Sequence, residues 1–442
     1  MDKFEAIYQL VKIWNSRKIS LEACTRDFFK ENTQFSHSEM SFIESLVSHQ
    51  IKFFIYLKFF QEFLDKHEVF PSDFTDKYRE IFVLLIHHKS LPEAEELVKI
   101  HLPQFASDFN QLYLKTQYNF KKFESDIKKR TNFKKQLYVL KSYSRQLIDL
   151  WTSQFNDSYL EFLMDGLNQK AEISIRVNNS KYTRKEVRAL LEEQNIFTSP
   201  SPLSSRVLYV KNLGIYELLH SQAYKDGLFM LMDEGEVILN QLHRAENNQL
   251  IIDLFPYNAE FILSYALDSS YRSKIVTVLK DKHRVFDFVN KIKHLKVPQL
   301  DIQSVKSNME LMQNYKTKAD VVFVRPKTSG FGRLKIHPDK KWNIEKKHIY
   351  KLADEQFNSL ATAHELVKPG GFIIYISDTI NLIENEKLIN KFMLSHQKYA
   401  LVRDYELDPN SLNKFIQADK TIFFHPAKVP FSSFYVAKLK RL

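Results

Sequence analysis

The chain has 442 residues, of which 26% are charged and 44% hydrophobic, and its formal net charge is +11. This length predicts two or three domains, and the charge indicates a polyanionic partner such as RNA, DNA or an anionic membrane surface. The single cysteine, Cys24, excludes an intramolecular disulfide and a cysteine metal cluster. The most apolar run, residues 53–64, is too short to span a bilayer, and the first residues lack the apolar core of a signal peptide. A single cysteine fits the reducing cytoplasm, which is the location we expect. We also expect a monomer with no membrane partner.

The first 145 residues carry apolar side chains at helical spacing, as in residues 42–47. This periodicity predicts an all-α domain over residues 1–145, and Ser36 with Glu39 forms a capping-box pattern at one helix start. Near the end of this region, basic residues are interleaved with aromatic ones. That mixture suits phosphate contacts and base stacking on RNA, although aromatic residues at this spacing more often face a helical core. The predicted RNA contacts here are Lys128, Lys129, Arg130, Lys134 and Lys135.

Residues 146–235 predict a small α+β domain, with strands at 173–178 and 206–210 and a capping box at Thr183 and Glu186. From residue 236 to residue 442, short apolar runs alternate with helical patterns; the runs include 250–254, 274–278, 321–324 and 372–376. Alternating strands and helices predict a doubly wound parallel sheet, and the strands near the end of the sequence predict an antiparallel edge.

Several motifs in this order resemble those of the bacterial Sun/Fmu family of 16S ribosomal RNA cytosine-5 methyltransferases. Residues 175–178 are similar to the family's Leu-Arg-Val-Asn, and residues 366–371 match its Leu-x-Lys-Pro-Gly-Gly. The turn 329–332 and the run 337–342 resemble Ser-Gly-Thr-Gly and His-Pro-Asp-x-Lys-Trp. The resemblance implies a NusB-like helical RNA-binding domain, an α+β linker domain and a Rossmann-like domain that uses S-adenosyl-L-methionine. It also adds Arg176, Lys335, Lys340 and Lys341 to the expected RNA contacts.

The catalytic positions of the family are substituted in this chain. The family attacks cytosine C6 with a cysteine thiolate, and a second cysteine helps to release the product. Thr328 and Asp378 stand at these two cysteine positions, and Arg325 replaces the aspartate of the Asp-Ala-Pro-Cys motif that holds the nucleophile. A threonine hydroxyl is a poor nucleophile unless an adjacent base activates it. The resemblance therefore implies that cysteine-based catalysis is lost.

The cofactor positions are also changed. The segment after Asp253 lacks the paired glycines with which the family wraps the methionine end of the cofactor. Leu279 and Val305 stand where the family has acids, so only Asp253 and Asp281 remain as candidate cofactor ligands. S-adenosyl-L-methionine is the cofactor that the resemblance implies, and these substitutions argue against its binding. No histidine cluster has metal-ligand spacing, so we expect no metal.

Three functions fit these observations. The first is a pseudo-methyltransferase that binds ribosomal RNA during small-subunit assembly. The second is an active S-adenosylmethionine-dependent RNA methyltransferase with altered catalytic residues, in which Asp378 serves as a base. The third is a protein-interaction scaffold that uses the NusB-like domain. Whether the chain is an enzyme stays open at this point.

Overall fold

The computed structural model describes residues 1–17, 19–72, 74–244, 246–254, 260–268, 273–279, 282–295, 302–305, 307–405 and 413–442. The chain divides into two units by its internal contacts. The first, here called the helical unit, contains Met1–Asn168 together with Ile336–Ile344, and the second, the sheet unit, contains Gln169–Lys335 together with Glu345–Leu442. Residues 146–168 thus group with the helices, and the three-domain division remains a prediction.

The helical unit is built from amphipathic helices whose starts are set by local caps. Ser36 accepts a hydrogen bond from the Glu39 backbone and Glu39 accepts one from the Ser36 backbone, which confirms the predicted capping box. The helices are α1 (Lys3–Arg17), α2 (Leu21–Glu31), α3 (His37–Lys52), α4 (Phe54–Lys66), α5 (Asp76–His88), α6 (Leu91–His101), α7 (Phe109–Arg130), α8 (Phe133–Leu140), α9 (Arg145–Thr152) and α10 (Asp157–Asn168). Their apolar faces are buried against each other, as with Leu46, Phe60 and Phe82, each 0% exposed.

The segment Ile336–Ile344, which contains the His-Pro-Asp-Lys-Lys-Trp motif, is held by the helical unit. The indole nitrogen of Trp342 donates to the Ile51 carbonyl at 2.9 Å, and the Lys341 amine donates to the Lys52 carbonyl. The Lys341 amine also lies 4.2 Å from the centroid of the Tyr143 ring. These bonds satisfy carbonyls at the end of α3, so this motif has a structural role here.

The sheet unit contains a small antiparallel sheet in the order β2-β3-β1-β4 within the described residues. Thr183 and Glu186 form the predicted capping box at the start of the helix Arg184–Glu193, which packs on this small sheet. Its strands are β1 (Ile173–Val177), β2 (Thr198–Pro200), β3 (Val207–Val210) and β4 (Phe229–Leu231), and its helices are α11 (Arg184–Glu193), α12 (Ile215–His220), α13 (Gln222–Lys225) and α14 (Glu234–Leu239).

The larger sheet of this unit has the order β10-β12-β9-β8-β5-β6-β7, with β11 paired to β12. Its strands are β5 (Leu250–Leu254), β6 (Lys274–Val278), β7 (Ile302–Val305), β8 (Ala319–Val324), β9 (Val367–Ser377), β10 (Tyr399–Leu401), β11 (Ile422–Phe423) and β12 (Tyr435–Arg441). The helices are α15 (Glu260–Asp268), α16 (Lys282–Leu295), α17 (Asn308–Tyr315), α18 (Lys346–Leu366) and α19 (Glu386–Ser395). Strands β5 to β9 pair in parallel and β12 pairs antiparallel to β9, which confirms the predicted parallel sheet with an antiparallel edge.

Both faces of this sheet are buried. Ile251 belongs to one hydrophobic cluster and its neighbour Ile252 to the cluster on the opposite face. The chain runs outward from β5 to β7 and then returns to β8 on the other side of β5. This reversal makes the crevice at the carboxyl ends of β5 and β8 the place where such a sheet binds ligands. Among the described residues, no helix is long and apolar enough to cross a membrane.

Candidate functional site

A buried ion pair joins the carboxyl ends of β5 and β8. The guanidinium of Arg325 donates to both oxygens of Asp253, with Nε–Oδ1 at 3.2 Å and Nη2–Oδ2 at 3.0 Å. The Asp253 side chain is 0% exposed and that of Arg325 is 8% exposed. The central carbon of the guanidinium lies 3.9 Å from the centroid of the Phe261 ring, on α15. The guanidinium of Arg325 therefore lies in the crevice at the carboxyl ends of β5 and β8, where the strand order reverses.

Thr328 and Asp378, which the resemblance places at the two cysteine positions, lie in contact with each other. The Thr328 hydroxyl donates a hydrogen bond to Oδ1 of Asp378, and the same hydroxyl accepts one from the Gly330 backbone at 3.0 Å. The guanidinium of Arg333 lies 3.9 Å from Asp378 and 3.1 Å from Glu236. The site thus contains a hydroxyl, a carboxylate and a guanidinium in place of two thiols.

The glycines of the turn are required by close backbone approaches. Gly330 has a φ of +71°, in the left-handed region that side chains disfavour. A Cβ on Gly332 would lie 2.2 Å from the Ser433 carbonyl oxygen and 2.6 Å from that of Asp378. The Gly332 backbone N–H donates to the Asp378 carbonyl at 2.9 Å. Residues 330–332 therefore bring the loop after β8 against the residue that follows β9.

A buried glutamate fixes the same loop. Glu384 is 0% exposed and accepts hydrogen bonds from the Ser329 backbone at 3.0 Å, from Gln356 at 2.8 Å and from Asn381 at 3.1 Å. Burial raises the pKa of the Glu384 carboxyl, and these donors oppose the rise. Sequence reasoning missed Gln356, because its position on α18 gives no local sign that it is buried beneath the loop.

The predicted cofactor residues offer few ligand groups among the described residues. The carboxylate of Asp253 is occupied by Arg325, and Leu279 is 5% exposed and packs in a hydrophobic cluster. Val305 is the last residue of β7. Asp281 and residues 255–259 lie outside the described residues. Among the described residues, the carboxylate of Asp253 is already paired and the Leu279 side chain has no group that could bind ribose hydroxyls, so neither position offers S-adenosylmethionine an unoccupied polar ligand.

Three of the predicted RNA contacts are buried, and for these the structure corrects the prediction. Arg176 is 0% exposed and donates to Asp268 at 2.9 Å, and Lys335 is 3% exposed and donates to the carbonyls of Pro426 and Val429. Lys341, whose amine donates to the last carbonyl of α3, is 1% exposed. Their charges are satisfied inside the protein, which removes them from contact with RNA in this conformation.

The remaining predicted contacts lie at the surface of the helical unit. Lys135 and Lys340 are half-buried, and the exposed ones are Lys128, Lys129, Arg130 and Lys134. Their role in RNA binding stays a prediction.

The sheet order and the crevice define an α/β fold of the methyltransferase type, and comparison with known proteins identifies the family. A model described as 16S rRNA methyltransferase RsmB/F matches residues 263–440, and a model of the RsmF/B-like ferredoxin-like domain matches residues 143–214. The probable ribosomal RNA small subunit methyltransferase B of Coxiella burnetii is 21% identical over 282 residues, which are 63% of this chain and 64% of that protein. The corresponding protein of Erwinia tasmaniensis is 22% identical over 354 residues, 80% of each chain.

The matched region thus spans less than two thirds of the length of the Coxiella relative. It spans 52% of the length of the ribosomal RNA small subunit methyltransferase B of Vibrio cholerae. Among solved structures, PH0851 is similar with a TM-score of 0.69 at 18% identity, over 99% of this chain and 98% of that one. NSun6 from Pyrococcus horikoshii, solved with SFG, is similar with a TM-score of 0.57 at 17% identity, over 66% of this chain and 97% of that one. These two similarities concern the fold alone. The family models confirm the resemblance: this chain belongs to the Sun/Fmu family of 16S ribosomal RNA methyltransferases.

Proposed function

We propose that this chain is a ribosomal RNA-binding member of the family that has lost the cysteine-based chemistry and carries out no methyl transfer. The contact between Thr328 and Asp378 carries the proposal, because these residues fill both cysteine positions with groups that bond to each other. Attack on a pyrimidine ring requires a soft nucleophile with an accessible thiolate. The only cysteine of the sequence, Cys24, lies buried in the helical unit.

The Arg325–Asp253 pair supports the loss of the cofactor. Family membership implies S-adenosyl-L-methionine, which carries a positive charge at sulfur. In this chain a guanidinium lies at the crevice and neutralises the retained aspartate. The paired carboxylate is not available to a cationic ligand, so the crevice is better suited to stabilising the sheet than to binding the cofactor.

The exposed basic residues of the helical unit support RNA as the partner. Lys128 and Lys129 have no ion pair among the described residues, so their charges are available to phosphates. Such contacts hold RNA without reading its sequence. On this view the chain acts in the cytoplasm as a monomer, during assembly of the small ribosomal subunit.

The test combines a cofactor titration with an RNA-binding assay. S-adenosylmethionine is titrated into the protein by calorimetry, methyl transfer to total ribosomal RNA is assayed, and RNA binding is measured from about 50 to 200 mM salt. We expect salt-sensitive RNA binding, no heat of cofactor binding and no transfer. Methyl transfer by the wild type that is lost in Thr328→Val would contradict the proposal, and so would the absence of RNA binding at low salt.

One observation favours a second candidate, an RNA methyltransferase with altered chemistry. The carboxylate of Asp378 accepts the Thr328 hydroxyl hydrogen bond, which is the arrangement of a base beside a hydroxyl nucleophile. Thr328→Val distinguishes the two functions, because valine keeps the shape of the side chain and removes only the hydroxyl. The second candidate requires transfer in the wild type, whereas the first requires none in either protein.

A further inference from the structure

One face of α7 exposes an aromatic ring among lysines. The helix has 22 residues and buries Phe109, Leu112 and Phe123, among others, on its inner side. On the outer side Leu114 is 64% exposed and Tyr118 is 70% exposed. Tyr118 therefore presents its ring to solvent, which is unusual for an aromatic side chain of a folded helix. We call the outer residues Lys115, Tyr118, Lys121, Lys122 and Lys129 the α7 face.

The α7 face carries positive charge that is not neutralised by its own helix. The helix has six basic and two acidic residues. Both acids have other partners: Glu124 accepts the Tyr56 hydroxyl at 3.0 Å, and Asp126 lies 3.9 Å from Arg130. Within the part of the chain that the structure describes, no ion pair involves any lysine of the α7 face. This surface is complementary to a chain of phosphates.

The spacing of these residues forms a continuous track. Tyr118, Lys122 and Lys129 follow one another at steps of four and seven residues, which keeps them on one side of the helix. Lys115 and Lys121 flank this line. From residue 115 to residue 129 the track is about 21 Å long, at 1.5 Å per helical residue. That length accommodates several nucleotides of a single strand.

Three other aromatic residues of this region, Phe120, Phe123 and Tyr143, are engaged inside the helical unit. The ring of Phe120 stacks on that of Phe60 with centroids 4.0 Å apart, and Phe123 and Tyr143 are buried. The predicted contacts farther along the chain are also partly occupied. Lys134 pairs with Asp149 at 2.6 Å, and the Lys135 amine lies 4.6 Å from the Phe59 centroid, which is closer than the 5.9 Å between the Lys122 amine and the Phe63 centroid. The most exposed aromatic ring of this region, Tyr118, and the lysines around it thus lie on the outer side of α7.

We infer that the α7 face binds single-stranded RNA, with an unpaired base stacked on Tyr118 and phosphates held by Lys115, Lys121, Lys122 and Lys129. The inference rests on the proposed RNA binding and specifies its site and the class of RNA. Stacking on a side chain requires a base that is free of its helix, so a single strand fits and a duplex does not. The lysines supply contacts that do not depend on sequence.

The test uses the full chain and two RNA probes, a short oligouridylate and a duplex of the same length. Tyr118→Ala is compared with Tyr118→Phe, and Ile100→Ala serves as the matched control because Ile100 is also exposed on a helix, at 58%. We expect Tyr118→Ala to weaken oligouridylate binding by about 5- to 100-fold, with Tyr118→Phe and Ile100→Ala close to wild type. Melting temperatures of all variants check that the fold is intact.

A second pair of variants tests the cations. Lys122→Ala combined with Lys129→Ala should reduce the slope of log affinity against log salt by about 1.4, since each phosphate contact on a single strand contributes about 0.7. Lys99→Ala is the control, because Lys99 is exposed and paired with Glu95. A slope that falls equally in the control overturns the inference.

The outcomes separate this inference from the proposed function. If the wild type binds neither probe at low salt, both the proposed RNA binding and the inference about the α7 face are contradicted. Wild-type binding that is unchanged in Tyr118→Ala overturns the α7 face and leaves RNA binding in place. Equal affinity for duplex and single strand, or a loss in Tyr118→Phe as large as in Tyr118→Ala, also overturns the stacking contact.

Discussion

Removing Arg325 should leave a buried carboxylate without its bidentate partner. In Arg325→Ala, Asp253 loses donors at 3.2 and 3.0 Å while its side chain remains 0% exposed. Breaking a buried ion pair by deleting one partner costs about 3–5 kcal/mol, because the remaining charge is neither solvated nor neutralised. The same variant also loses the contact between the guanidinium and the Phe261 ring, which this range includes. We expect the free energy of unfolding to fall by about 3–5 kcal/mol in total.

Urea unfolding followed by fluorescence and circular dichroism measures this change. Lys327→Ala is the matched control, since Lys327 lies on the same loop and is exposed, and it should change the free energy by no more than about 0.5 kcal/mol. The double variant Asp253→Leu with Arg325→Met should recover most of the loss, because an apolar pair removes both buried charges. An Arg325→Ala protein as stable as the Lys327→Ala control would refute the buried pair.

Two further predictions concern buried basic groups. Burial lowers the pKa of His87 from 6.5 to about 4. Between these two pH values only the unfolded chain binds the proton. The free energy of unfolding should therefore rise by roughly 3 kcal/mol as the pH increases from about 4 to 6.5. Urea unfolding at several pH values should show this rise reduced in His87→Gln; an unchanged pH slope would contradict the assignment. Lys335→Met should lose about 1–3 kcal/mol, because two carbonyls lose their donor. The same variant should keep the wild-type salt slope of RNA binding, and a smaller slope would mean that Lys335 contacts RNA after all.

Local signals in the sequence predicted the elements well. The runs at 250–254 and 274–278 coincide with β5 and β6, and the capping boxes at Ser36 and Thr183 begin helices as expected. Periodicity and capping depend on residues within one or two turns, so a single sequence contains them.

Burial of charge depends on distant partners and could not be predicted in this way. Arg176 was expected at the surface, but it reaches Asp268 and the Val177 carbonyl in the core of the sheet unit. Lys341 was expected to contact RNA, but it bonds to the Lys52 carbonyl, far away in the sequence. Whether a basic side chain faces solvent is decided by tertiary packing, and these two residues carry no local sign of it.

The substituted family positions are best understood in pairs. An acid at position 325 would place a second carboxylate beside Asp253, and the charge of both would need a cationic ligand or a shifted pKa to be tolerated. Arg325 cancels the formal charge of Asp253 from within the chain. Thr328 and Asp378 likewise satisfy each other's hydrogen-bonding groups. Each pair satisfies internally the polar groups that an active site would present to its ligand, and this agrees with the proposed loss of methyl transfer.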